Sequence, residues 1–199
     1  MSVSVRPQTL ADVAIPRPAL AHNVALIVGA TALTAMAAQL EIRLPWTPVP
    51  ITGQTFAVLL SGAVLGARRA FLAQALYLGC GAAGMPVFSG GGFGAQHLIG
   101  PTGGYLLAFP FAAALTGALA ARGWDRRFLT MAAAMLLGSA VIFACGLAWL
   151  SRFMPASGLI AAGFAPFIPG DIVKTTLAAL AFPAIWRRTR DADSADLRG

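Results

Sequence analysis

The sequence predicts an all-α integral membrane protein with six transmembrane helices and both termini in the cytoplasm. Three observations carry this expectation. Of 199 residues, 58% are hydrophobic and only 11% charged, and mean hydropathy is +0.76, whereas a soluble domain carries about 25% charged residues. The apolar residues come in runs near the roughly 20 that a helix needs to cross a bilayer. The basic residues sit in short clusters between those runs, and not along one face as nucleic-acid binding would require, despite a net charge of +7.

In chain order, residues 1–21 hold Arg6, Arg17 and three prolines without a continuous apolar core. They read as a cytoplasmic tail, mobile or lying on the membrane surface, and not as a cleavable signal peptide. Six helices follow within a single domain at residues 22–187: His22 to Leu40, Gln54 to Gly66, Arg69 to Ala83, Gly103 to Ala121, Phe128 to Phe153 and Pro169 to Trp186. The second and third are short for a full span, so tilt or burial against neighbours is expected. Residues 188–199 form a second cytoplasmic tail.

The arginines test the count. With six spans, Arg6, Arg17, Arg68, Arg69, Arg122, Arg126, Arg127, Arg187, Arg188, Arg190 and Arg198 all fall on one side, and Arg43 and Arg152 on the other. Cytoplasmic loops carry such an excess. The first helix also has small residues four apart, Ala21, Ala25 and Gly29 on one stripe and Ala30, Thr34 and Ala38 on another. Such stripes let helices approach closely in lipid, for a partner subunit or for internal packing. Cys80 and Cys145 lie inside apolar runs and read as small packing residues.

Two outward connections are unusual. Leu44 to Gln54 is apolar and stiffened by Pro45, Pro48 and Pro50, and Met85 to Tyr105 is rich in glycine. Irregular backbone at membrane depth is tolerated where it lines a cavity, so these segments read as a cover over an outward-opening pocket, against the alternative of glycine-rich loops without a ligand. The last helix opens with Pro169-Gly170-Asp171-Ile172-Val173-Lys174, which contains the chain's only lysine. A spacing of three puts Asp171 and Lys174 on one helix face, and ionisable groups at membrane depth are functional candidates. The alternative is a structural ion pair between them. Gln54, Thr52, Thr55 and Tyr77 could converge on the same pocket, as could Gln96 and His97. Gln74 reads as interhelical glue as readily as a site residue.

The sequence holds no G-x-x-x-x-G-K-[ST] nucleotide loop and no His/Cys/carboxylate spacing suited to a metal, so no cofactor is expected on this chain. A small anionic or zwitterionic ligand with an apolar body suits it better than catalysis.

Four runs carry a resemblance: Pro48-Val49-Pro50-Ile51-Thr52-Gly53-Gln54-Thr55, Gly84-Met85-Pro86-Val87-Phe88, Gly100-Pro101-Thr102-Gly103-Gly104-Tyr105 and Pro169-Gly170-Asp171-x-x-Lys174. In this order the chain resembles the BioY family, the biotin-specific S components of energy-coupling-factor (ECF) transporters, over roughly residues 22 to 187. The resemblance implies a six-helix S-component bundle in the bacterial plasma membrane that captures biotin from outside. It further implies a transmembrane coupling subunit and ABC-type ATPase subunits as partners, with ATP used by those ATPases. An assembly of several copies of the chain stays open.

Asp171 and Lys174 match the family's polar pair, and Gln54 and Tyr77 match binding positions. On that resemblance, Lys174 or a helix N-terminus meets the biotin carboxylate. Asp171 and Gln54 meet the ureido group, and Trp46, Phe88 and Tyr77 pack the ring, with Thr52 and Gln96 as further polar contacts. No arginine occurs between Arg69 and Arg122 where some members use one, so Asp171 and Lys174 could exchange roles. The competing readings are an S component for another vitamin, a carrier acting alone on a proton gradient through Asp171 and Lys174, and, least supported, a membrane enzyme.

Overall fold

A computed structural model describes residues 9–15 and 18–196, with side chains through residue 189. The parts of the expected tails at residues 1–8, 16–17 and 197–199, with Arg6, Arg17 and Arg198, lie outside the described residues.

The described part of the N-terminal tail is a docked helix, α1 (Leu10–Ala14). Thr9 and Asp12 form a capping box, Thr9 and Ala11 are buried, and Arg69 binds Asp12 Oδ1 at 2.8 Å and Asn23 Oδ1 at 2.7 Å. The expectation of a mobile tail is corrected here, because the anchor is a tertiary ion pair that no local pattern announces. Burial alone would raise the Asp12 carboxyl, but its bonds from Arg69 and Thr9 outweigh it and hold the group below its ordinary value.

Helix α2 (Leu20–Gln39) follows. Its two small-residue stripes separate: Ala30, Thr34 and Ala38 are buried against the neighbouring helices, while Ala21, Ala25 and Gly29 are exposed. After the antiparallel strands β1 (Glu41–Ile42) and β2 (Ile51–Thr52), α3 (Gln54–Leu65) starts at Gly53, whose N–H donates to the Ala37 and Leu40 carbonyls. Gly66, at φ +80°, makes the whole turn into α4 (Ala67–Ala82). Arg68 and Arg69 therefore lie in the first turn of α4 and not in a connection, a turn of one residue being open to glycine because it tolerates positive φ.

Helix α6 (Gly103–Ala121) runs through the middle of the bundle, packed on α3, α4 and α7 (Phe128–Leu150). Close approach is built on missing side chains. A Cβ on Gly62 would press on the Ala113 carbonyl, one on Gly104 on Trp149, and one on Gly138 on Leu59 and Thr116. Buried polar links add to this. Gln74 Nε2 donates to Thr34 Oγ1 and Ser61 Oγ, both at 3.1 Å, tying α4 to α2 and α3. Thr31 donates to the Ala73 carbonyl at 2.8 Å. Gln74 thus acts as interhelical glue.

Two short helices on the outer side, α5 (Ala95–Ile99) and α8 (Ala156–Gly163), escaped the sequence reading. The last helix, α9 (Ile168–Asp196), runs ten residues past its expected end at Trp186, so the expected tail from residue 188 is helical through residue 196. The stretch after Trp186 is polar and so was invisible to an apolar-run criterion, yet it contains neither glycine nor proline before Gly199 to stop a helix. Both cysteines are free, and Cys145 is exposed instead of packed.

Four stretches are helical, long and apolar enough to cross a bilayer: α2, α6, α7 and the segment Ala156–Thr189 that includes most of α9. Their outer faces expose Val24, Met36, Leu136, Ile172 and Leu177, among others, a distribution that only a lipid surround makes favourable.

Candidate functional site

The proline loop, β2 and the glycine-rich segment close over the start of α3, the start of α6 and the end of α7. Beneath them lies a small cavity of about 50 Å³. The first loop contributes Val49, Pro50 and Thr52 to its wall, and α3 contributes Gln54 and Thr55. The glycine-rich segment adds Phe88, Ser89 and His97. Helix α6 adds Thr102, Tyr105, Leu106 and Phe109, while Phe143 and Phe167 complete the wall from α7 and the turn before α9. An outer vestibule of about 440 Å³ shares Pro50, Ser89, His97 and Thr102 with this cavity and adds Glu41, Arg43 and Gln96. The two spaces meet at those four shared residues.

One wall is polar and tightly bonded. The Thr52 hydroxyl donates to Gln54 Oε1 at 3.0 Å, and Gln54 Nε2 donates to Tyr77 Oη at 2.5 Å. The Tyr77 hydroxyl donates in turn to the Val87 carbonyl at 3.0 Å. Gln54 is 6% exposed, so this chain fixes its amide at the cavity wall. Much of the remaining lining is aromatic. Phe88 stands edge-on to Tyr77, with ring centroids 5.5 Å apart, and Phe143 meets Tyr105 and Phe164 in the same T-shaped way.

Glycine notches seat these rings. A Cβ on Gly81 would overlap the Phe88 ring, and one on Gly146 the Tyr105 ring. The Tyr105 hydroxyl donates to the Gly163 carbonyl at 2.8 Å and so ties α6 to the end of α8. The cover is pinned from the other side as well, since the Thr47 hydroxyl donates to the Ala162 carbonyl at 2.8 Å.

Lys174 reaches this wall from behind. Its Nζ donates to the Thr52 carbonyl at 3.0 Å and to Thr55 Oγ1 at 2.9 Å, using two of its three N–H groups. Asp171 is buried. Ion pairs within 4.0 Å among the described residues are Arg43–Glu41 and Arg69–Asp12, so Asp171 and Lys174 do not form the direct pair that the sequence left open. Lys174 instead ties the start of α9 to β2 and α3.

Of the residues singled out in the sequence, Thr52, Gln54, Thr55, Phe88 and His97 line the cavity. Tyr77 stands immediately behind Gln54. Gln96 lines only the outer vestibule and bonds the Phe93 carbonyl. Trp46 is 63% exposed and lines neither space; among the described residues it does not pack the cavity. Phe109, Phe143 and Phe167 were missed. Each is one aromatic in an apolar helix or turn, and only the glycine opposite, as Gly146 is to Tyr105, marks where a ring is seated.

A family model described as the BioY family matches residues 7–191. The chain belongs to the BioY family. It is 41% identical over 160 residues to a probable biotin transporter BioY of Pyrococcus horikoshii, covering 80% of this chain and 93% of that relative. It is also 41% identical over 140 residues to the biotin transporter BioY of Thermotoga maritima, covering 70% and 82% of the two chains. Among solved structures it resembles the S component for biotin from an ECF-type ABC transporter, with a TM-score of 0.71 and 26% identity over 84% of this chain and 92% of that one. The four runs singled out in the sequence are far apart along the chain and meet at one place. Pro48 to Thr55 forms β2 and the first turn of α3, Gly84 to Phe88 brings the Phe88 ring onto the Gly81 notch, Gly100 to Tyr105 opens α6, and Lys174 braces the polar wall.

Proposed function

We propose that this protein captures biotin from outside the cell as the substrate-binding subunit of an ECF-type transporter in the bacterial plasma membrane. The observation that carries the proposal is the convergence of four separate BioY motifs on one enclosed cavity with an amide-bearing polar wall and an aromatic one. A ureido bicycle needs both: donors and acceptors for its N–H and C=O groups, and flat apolar surface for its rings. Gln54 and Thr52 meet the ureido group, and Phe88, Phe109, Phe143 and Tyr105 enclose the rings. Lys174 holds the Thr52 carbonyl and Thr55 in place, and its third N–H, with Asp171 nearby, is available to a polar group of the ligand. Buried charges of this kind are costly without partners, which favours a role in presenting the polar wall.

Helices α2, α3, α4, α6, α7 and α9 are the six spans, with α3 and α4 short and braced by α6, and both termini are cytoplasmic. The basic residues support this orientation, since Arg68, Arg69, Arg122, Arg126, Arg127, Arg187 and Arg188 then share one side. The protein is a transport protein and not an enzyme; ATP is hydrolysed by partner ATPase subunits coupled through a transmembrane subunit. The exposed Ala21, Ala25 and Gly29 stripe on α2 offers that subunit a close-packing face. A proton-linked carrier working through an Asp171–Lys174 pair is disfavoured, because Lys174 bonds Thr52 and Thr55 and is not within ion-pair distance of Asp171.

The test is retention of radiolabelled biotin by detergent-purified protein, wild type against Lys174→Ala and Asp171→Asn, with other unlabelled vitamins as competitors. The expected result is tight retention displaced only by biotin and lost in both variants. If well-folded wild type retains no biotin, the assignment fails and another vitamin takes its place.

A further inference from the structure

At the end of the bundle opposite the biotin cavity, α6 passes into α7 through a single 3-10 turn at Trp124–Arg126. A cleft of about 260 Å³ opens there between this turn, the start of α7 and the far part of α9. Arg126, Arg127 and Arg187 line it, together with Phe128, Leu180 and Pro183. Asp125, the neighbouring carboxylate, is fully buried and accepts the Trp186 indole N–H at 2.5 Å, and among the described residues the three arginines have no carboxylate within ion-pair distance. The Arg126 guanidinium is already positioned, stacked over the Trp186 ring at 4.6 Å from its centroid. The rest of the wall is apolar, with Leu180 58% exposed, and Leu129, next to Phe128 on α7 and outside the cleft itself, is 78% exposed.

We propose that this cleft binds one anionic phospholipid, its phosphate on Arg126, Arg127 and Arg187 and its acyl chains along α7 and α9. The charge pattern and the apolar wall each point to this occupant. A phosphate satisfies a fork of guanidinium donors, and only a ligand with a long apolar body also covers the Leu180 and Leu129 surface. The placement rests on the orientation given above, in which this end meets the cytoplasmic leaflet, where anionic lipids attract such arginine clusters. A bound lipid there would wedge the α6–α7 turn against α9 and steady the helix that carries Asp171 and Lys174.

The test counts bound lipid on the detergent-purified full chain by native mass spectrometry, titrating phosphatidylglycerol, phosphatidylcholine and inorganic phosphate separately. Wild type is compared with the triple variant Arg126→Gln, Arg127→Gln, Arg187→Gln and with Arg152→Gln, which removes charge at the other end. Wild type should hold one phosphatidylglycerol in preference to phosphatidylcholine. At about fivefold per arginine, the triple variant should lose that preference by on the order of a hundredfold, while Arg152→Gln retains it. Equal retention of both lipids by wild type, or an unchanged preference in a triple variant of native helix content, would overturn the proposal. So would displacement by millimolar phosphate, which would make the site one for free phosphate. The readout does not involve biotin, so it stands or falls separately from the assignment of the vitamin.

Discussion

Tyr77→Phe removes one oxygen atom and tests the polar wall directly. The Tyr77 hydroxyl accepts from Gln54 Nε2 and donates to the Val87 carbonyl, and both Tyr77 and Gln54 are buried. The ring stays, so packing against Phe88 is kept and the change is confined to two hydrogen bonds. A buried group left without a partner costs about 1–3 kcal/mol in aqueous proteins, but interhelical bonds in membranes average about 0.6 and reach about 1.7 kcal/mol. Two bonds at about 1–1.5 kcal/mol each give a loss of about 2–3 kcal/mol. At about 2–4 °C per kcal/mol for a chain of this size, the melting temperature in detergent should fall by roughly 5–10 °C. The Gln54 amide also loses its fixed orientation, so biotin retention should weaken by about tenfold or more. Thermal unfolding followed by tryptophan fluorescence, and equilibrium binding of radiolabelled biotin, measure the two effects. A variant that melts and binds as wild type does would refute the reasoning, because the Thr52–Gln54–Tyr77 chain would then contribute neither stability nor orientation.

Other perturbations act on separate parts of the structure. Gly146→Val puts a side chain into the Tyr105 ring and should cut biotin affinity at least tenfold by pushing that ring into the cavity; unchanged equilibrium binding would count against the notch. Thr47→Val removes the bond from the cover to Ala162 and should raise the biotin dissociation rate several-fold, read by chase with unlabelled biotin. Burial pushes the Asp125 carboxyl above its ordinary 3.8, although Trp186 and Arg126 pull it down. A raised folded pKa means that the fold holds the proton more tightly, so this group's contribution to stability declines as pH rises from 3.8 through the folded value. Asp125→Asn keeps an acceptor for Trp186 and should flatten that decline in a pH series of melting temperatures. Asp12 has the opposite sign: its depressed pKa adds stability above 3.8 that is lost as pH falls through the folded value. Protection from hydrogen exchange at residues 10–14, taken relative to the intrinsic rate at each pH, should therefore fall in acid for wild type and show no such step in Asp12→Asn.

Much of the bundle was legible in the sequence because lipid imposes a simple rule: a helix crossing it must be apolar over most of its length. The fourth helix, Gly103 to Ala121, was predicted with the observed bounds, and the start of the second at Gln54 is marked by the glycine before it. The rule fails where it does not apply. Helix α9 beyond Trp186 is polar, α5 and α8 are too short for periodicity to speak, and α1 depends on Arg69 arriving from α4.

For the site, residue chemistry reached part of the way. Lysine and aspartate three apart on an otherwise apolar helix could be recognised as unusual from the sequence. What they touch could not, since the Lys174 bonds to Thr52 and Thr55 span more than a hundred residues of chain. Trp46 has the composition of a ring-packing residue but stands exposed, while Phe109, Phe143 and Phe167 look like ordinary lipid-facing aromatics but turn inward.

The sequence by itself determined the solvent, the helices and the family, because hydropathy and short motifs are local properties of the chain. Only the tertiary structure decided which aromatic rings face the cavity, that Lys174 bonds Thr52 and Thr55 and not Asp171, and that three arginines share one cleft. Those facts depend on how helices rotate about their axes when glycine notches and buried hydrogen bonds bring them into contact, and a helix's rotation is not written in its own residues.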